Sequence, residues 1–139
     1  MNAAAAGGAI PRLVVLLVDD EAPLLEVLRL GLKEEFEIEV ASSAEDGELM
    51  MATRKYDVLV CDHLMPGEEG LRFLIRASRL FPHTRRILIT GYMNPELISR
   101  SVALAGLAVC LLKPLKIETL AAAIREAAKS PVAPPIPAG

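Results

Sequence analysis

The sequence predicts an α/β domain in which helices wrap a parallel sheet. Short apolar runs alternate with segments of helical periodicity along most of the chain. Most of those runs are continuous rather than alternating, as in strands covered on both faces. Four of them end on polar side chains: Asp19 and Asp20, Asp62, Thr90, and Lys113. The chain has 139 residues, is 53% hydrophobic and has a mean hydropathy of +0.39. That is enough for one domain with a single core of ordinary size.

Each element has its own signal. Residues 13–18 form the first apolar run and predict strand one. Leu24, Leu25, Leu28 and Leu32 then recur at helical spacing, giving helix one a stripe toward the core. Residues 36–41 alternate apolar and acidic side chains, the pattern of a half-exposed edge strand. Ser43 is placed to cap helix two, with Glu45 and Asp46 favourable in its first turn. Strand three is residues 57–62, and Leu71, Phe73, Leu74, Ile75 and Leu80 populate helix three. Strand four is residues 86–90. Asn94-Pro95-Glu96 reads as an N-cap, a first-position proline and a first-turn acid. Helix four carries Leu97, Ile98, Val102 and Ala105, and strand five is residues 107–112. Ile117, Leu120, Ala121, Ile124 and Ala128 give helix five its inward face. Alternation of this kind limits the topology, because crossovers are right-handed.

Outside residues 12–129 the composition changes. Residues 1–11 are rich in Ala and Gly and are expected to be a disordered arm. Residues 130–139 are dense in proline and are expected to be an extended, unpacked tail. The start does not read as a secretory signal: no base precedes Arg12, and Asp19-Asp20-Glu21 follows the apolar run. No run approaches the length of a membrane span. The net charge is −3, with Lys and Arg scattered, so no nucleic-acid footprint is expected. Cys61 and Cys110 sit inside apolar runs, where a buried small hydrophobe is the simplest role. A cytoplasmic protein without disulfides is expected.

The strand ends carry the chemistry. In a parallel sheet they lie side by side, and open α/β sheets bind ligands there. Asp19, Asp20 and Asp62 would then crowd three carboxylates into one pocket. Two carboxylates about 4 Å apart repel by about 4 kcal/mol at an effective dielectric near 20. A hard divalent cation, Mg²⁺ on availability, relieves that repulsion through oxygen ligands. Asp62 needs no base to attack phosphorus, since an ionised carboxylate is already a nucleophile. Lys113 brings a positive charge and Thr90 a hydroxyl donor for phosphoryl oxygens. Asp19, Asp20 and Glu21 as a simple helix cap is the plainer alternative. His63 and His83 lack metal-ligand spacing and are expected to be exposed bystanders. Met50, Met51 and Met65 are expected to pack.

The chain resembles the receiver domains of bacterial two-component response regulators over roughly residues 12–129. The resemblance is carried by the Asp19-Asp20 pair, Asp62 within Asp-x-x-Met-Pro-Gly, Thr90-Gly91, and Lys113-Pro114. It implies a flavodoxin-like, doubly wound (βα)5 fold whose five-stranded parallel sheet has the order 2-1-3-4-5. It also implies that Asp62 accepts a phosphoryl group from a phosphohistidine on a sensor histidine kinase or histidine phosphotransfer protein. Asp20, Asp62 and the backbone carbonyl of Leu64 would ligate Mg²⁺, with Asp19 acting mainly through water. Thr90 and Lys113 would contact the phosphoryl oxygens, and the Lys113–Pro114 peptide is expected to be cis. The surface of helix four, strand five and helix five would bind an output partner or a second copy. With no further domain on this sequence, a stand-alone receiver is expected.

Two positions depart from the family pattern. The aromatic switch residue often found three before the lysine is replaced by Cys110, and Tyr92 is the alternative mobile ring. Leu64 and Tyr92 also flank the pocket where other members often have polar groups. Water is therefore expected to attack the phosphoaspartate slowly. Leu64→Asn should speed phosphate release in a time course, and a variant no faster than the parent would refute this. A receiver-like adaptor that docks partners without phosphorylation is the competing function. A flavin-binding protein on a similar sheet is a third, disfavoured because Asp19-Asp20-Glu21 would repel a phosphate.

Overall fold

The computed structural model describes residues 11–63, 69–91 and 94–131, with the side chain of Leu97 also left out. Five strands and five helices alternate: β1 (Val14–Val18), α1 (Ala22–Leu32), β2 (Glu37–Ala41), α2 (Ala44–Thr53), β3 (Val58–Asp62), α3 (Gly70–Leu80), β4 (Arg85–Thr90), α4 (Pro95–Ala105), β5 (Val109–Leu112) and α5 (Ile117–Lys129). The strands form one parallel sheet in the order β2-β1-β3-β4-β5. This is the flavodoxin-like order that the resemblance implies.

Strand position explains strand composition. β3 and most of β1 and β4, in the middle of the sheet, are buried, whereas β2 and β5 at its edges are largely half-buried. On β2 the alternating Glu37 and Glu39 face Arg54, and Tyr56 donates its hydroxyl to Glu39. Charges of this sort discourage another strand from adding to the edge. Cys61 pairs in register with Leu88, and Leu88 with Cys110, so one strand lies between the two free cysteines. Two strand spacings of about 4.8 Å exceed disulfide reach.

Period-two alternation of the central strands feeds two separate core layers. Val15, Leu17, Val58, Val60, Ile87 and Ile89 point to one face and meet α1 and α5. Leu16, Val18, Leu59, Cys61 and Leu88 point to the other, under Met51 of α2, Phe73, Leu74 and Ala77 of α3, and Ala105 at the end of α4. Ser43 caps α2 by accepting the Asp46 N–H at 3.1 Å, and Asn94 Oδ1 accepts the Glu96 N–H at 2.9 Å at the start of α4.

Several packing expectations are corrected. Val102 is exposed, because Ser101, 2% exposed, takes the inward position between Ile98 and Ala105. On α5 the inward stripe passes through Ala127, while Ala128 is half-buried. Strand five begins at Val109, since Gly106 turns the chain with φ 58 and Leu107 belongs to the connection. His63 is buried at 8% exposure rather than exposed, because β3 ends beneath the start of α3; His83 is exposed. Met51 is buried and Met50 half-buried, and Met65 lies outside the described residues. Among the described residues no helix is long and apolar enough to cross a membrane.

Candidate functional site

The register of the sheet assembles the polar strand ends. Val18 pairs with Cys61, so Asp19 and Asp62 leave β1 and β3 at the same level. Asp62 pairs with Ile89, and the next residue of β4 is Thr90. Thr90 pairs with Leu112, and the next residue after β5 is Lys113. Backbone bonds hold the strand ends together: His63 N–H to Ile89 O at 2.9 Å, Lys113 N–H to Thr90 O at 2.9 Å, and Asp19 N–H to Ala41 O at 3.1 Å. The Lys113–Pro114 peptide is cis.

At the centre, Lys113 Nζ lies 2.8 Å from Asp62 Oδ1. Asp62 is 3% exposed and Thr90 5%. Asp19, Asp20 and Asp62 each offer a carboxylate oxygen, and these atoms lie within 4.8 Å of one another. Asp19 is buried and Asp20 exposed, so the pocket has one carboxylate in its wall and one at its mouth. Asp19 Oδ1 accepts the Glu21 N–H at 2.9 Å, which fixes its rotamer. The N-cap of α1, Glu21, makes no side-chain capping bond of its own, so Asp19 supplies the side-chain contact at this helix start.

Burial pushes the Asp19 carboxyl up to about 6; the Glu21 N–H and Lys113 oppose that rise and the Asp62 charge adds to it. Burial alone would lower the Lys113 ammonium, but its bond to Asp62 and the charges of Asp62, Asp19 and Glu21 carry it above its ordinary value. One ammonium therefore faces three carboxylates. Three clustered hard oxygen donors with excess negative charge fit a divalent cation such as Mg²⁺. Leu64, whose carbonyl the sequence offers as a ligand, and Tyr92 lie outside the described residues. Cys110 is half-buried on β5, with burial raising its thiol pKa.

Sequence reasoning missed Gly70. Its N–H donates to His63 O at 2.8 Å, tying the start of α3 to the end of β3. A Cβ here would overlap the Asp62 carbonyl oxygen, sit 2.8 Å from the Asp62 carbonyl carbon and 3.0 Å from His63 Cα. Backbone cannot yield as a side-chain tip can, so only glycine lets α3 start against the Asp62 peptide. Gly70→Ala is expected to cost about 1–3 kcal/mol in urea unfolding. The spacing eight residues after Asp62 was visible, but the contact requires the fold.

A parallel sheet of this order, with an acidic pocket and a lysine at its carboxyl edge, defines a phosphoacceptor type of signalling domain. The chain belongs to the response regulator receiver domain family, whose model matches residues 15–125. Receiver domains are regulatory signalling domains rather than classical enzymes. The chain is 35% identical over 116 residues to the hydrogenase transcriptional regulatory protein HoxA of Cupriavidus necator, covering 84% of this chain and 24% of that protein. It is 31% identical over 121 residues to a probable chemotaxis protein CheY of Rhizobium etli, covering 81% of this chain and 90% of that one. The chain thus spans about a quarter of the HoxA protein and a similar share, 23%, of its Bradyrhizobium diazoefficiens counterpart. Among solved structures, a CheY-like receiver domain from Methanospirillum hungatei superposes with a TM-score of 0.78 at 28% identity, over 85% of this chain and 94% of that chain.

Proposed function

We propose that this chain is a phosphoacceptor switch that takes a phosphoryl group from a partner's phosphohistidine onto Asp62. The observation that carries the reading is Asp62 itself, buried at the sheet edge with Lys113 Nζ at 2.8 Å and two further carboxylates beside it. An Asp62 carboxylate oxygen bonds to phosphorus as the phosphorus–nitrogen bond breaks. The electron pair of that bond stays on the imidazole nitrogen, and the ring, already protonated at its other nitrogen, leaves as neutral imidazole. Asp62 and Asp20, with the Leu64 carbonyl, would hold Mg²⁺, and Asp19 would orient a ligating water. Bound there, the cation supplies charge neutralisation for the phosphoryl oxygens. Lys113 holds a second phosphoryl oxygen, and the Thr90 hydroxyl donates to a third.

The partners are a sensor histidine kinase or a histidine phosphotransfer protein, in the cytoplasm. The output face combines α4, β5 and α5, where Val102 and Leu104 are each 36% exposed and β5 is half-buried. A downstream protein or a second copy of this chain binds there when Thr90 is drawn toward the phosphoryl group. Beryllofluoride with Mg²⁺ separates this reading from a phosphorylation-independent adaptor. A switch shows amide shifts that spread from Asp62 through Thr90 into α4; an adaptor shows none.

A further inference from the structure

Arg86 is the largest fully buried side chain among the described residues, at 1% exposure. A guanidinium placed in an apolar layer is costly unless its N–H groups find acceptors. Its Nη1 donates to Thr84 O at 2.7 Å, just before β4 begins. Its Nε donates to Ala105 O at 2.8 Å and its Nη2 to Gly106 O at 3.2 Å. Ala105 ends α4, and Gly106 is the left-handed residue that follows it. These are carbonyls that a helix leaves without intrahelical partners, and a cation there also complements the helix dipole.

The main chain reinforces the same point. Leu107 N–H reaches back to Val102 O at 3.1 Å, the wrap that ends a helix on a left-handed glycine. Ala108 N–H then pairs with Arg86 O at 2.8 Å. Ser101, Ala105 and Leu107 are buried at 2%, 0% and 5%. The other end of α4 is different in kind. Pro95, Glu96, Ser99 and Arg100 are exposed and Ile98 is half-buried. That exposed end begins only a few residues beyond Thr90.

We propose that Arg86 is a positioning residue that makes the C-terminal end of α4 a fixed pivot, so that the state of Asp62 is expressed as movement of the N-terminal half of the helix. The coupling to Asp62 rests on the phosphoacceptor reading; the pivot itself does not. A helix held at one end converts a small displacement near Thr90 into a swing of its exposed end across the α4–β5 face. A helix free at both ends would instead slide or melt.

Amide hydrogen exchange along α4 tests this in the parent, Arg86→Lys and Arg86→Met, without and with Mg²⁺ and beryllofluoride. In the ligand-free parent, amides of residues 102–107 should exchange about tenfold or more slowly than those of residues 98–100. Arg86→Met should erase that gradient, and Arg86→Lys, which keeps the charge without the planar fork, should reduce it. Amides of β1 and β3 should change only by the common factor set by overall stability. Beryllofluoride should then alter the N-terminal half of α4 in the parent and the whole helix in the variants. A flat profile in the parent, or a gradient surviving in both variants, overturns the pivot. Should beryllofluoride leave the Asp62 amide unmoved, the phosphoacceptor reading falls and the coupling with it, while the ligand-free gradient still decides the pivot.

Discussion

Replacing Lys113 by methionine is expected to tighten Mg²⁺ binding several-fold while slowing phosphoryl uptake at Asp62 by about 10²–10³. The opposite signs follow from one geometry. The Lys113 ammonium lies 2.8 Å from Asp62 Oδ1, where it competes with any cation for the same carboxylate. Removing it leaves three carboxylates within 4.8 Å of one another and no longer offset by that ammonium. At water-like screening a unit charge about 4 Å away is worth about 1 kcal/mol, which sets the several-fold scale for a half-exposed lysine. On the proposed reading the phosphoryl group, by contrast, would lose a donor to its oxygens. Mg²⁺ titration followed by amide shifts gives the first quantity, and labelling kinetics at saturating Mg²⁺ give the second. Weaker metal binding in the variant, or unchanged labelling, would contradict the assigned role.

Asp19→Asn should stabilise the metal-free protein at pH 7, by about 1–3 kcal/mol. The Asp19 carboxyl is pushed from 3.8 up to about 6, chiefly by burial. Between those values the folded chain binds more protons at this site than the unfolded chain. Its contribution to stability therefore falls as pH rises from 4 to 6, and at pH 7 the ionised carboxylate is a net cost. Asparagine keeps an oxygen for the Glu21 N–H, which Asp19 accepts at 2.9 Å, and removes the charge. Urea unfolding in chelator at pH 5 and pH 7 should show the parent gaining stability at the lower pH and the variant gaining less. Mg²⁺ should stabilise the parent at pH 7 by binding only the folded chain, and the variant less. A variant less stable than the parent at pH 7, with the same pH slope, would show that Asp19 is compensated in another way.

Residues at element ends made most of this fold legible. Asp62 and Thr90 each close a buried apolar run, and a parallel sheet then leaves little choice about where those groups meet. The two glutamates of β2 exposed the edge strand, and Ser43 and Asn94 marked helix starts. Legibility failed where a residue's role depends on another element. Ser101 rather than Val102 faces inward on α4, which periodicity over a mixed apolar helix does not reveal. His63 is buried because Gly70 brings α3 down on it. Arg86 read as the polar start of a strand, and only packing shows its guanidinium reaching across to α4. The spread between buried Asp19 and exposed Asp20 was equally hidden, since adjacent aspartates look alike until one of them enters the wall of the pocket.

The central claim is that Asp62 carries phosphorus, and one measurement addresses it directly. The purified protein is incubated with Mg²⁺ and a small-molecule phosphodonor, and its intact mass and modified peptide are determined, with Asp62→Asn alongside. The account predicts a mass gain of one phosphoryl group, located at Asp62, removed by hydroxylamine as an acyl phosphate should be, and absent from the variant or in chelator. A parent protein that gains no phosphoryl group under these conditions, or gains it equally in Asp62→Asn, would contradict it.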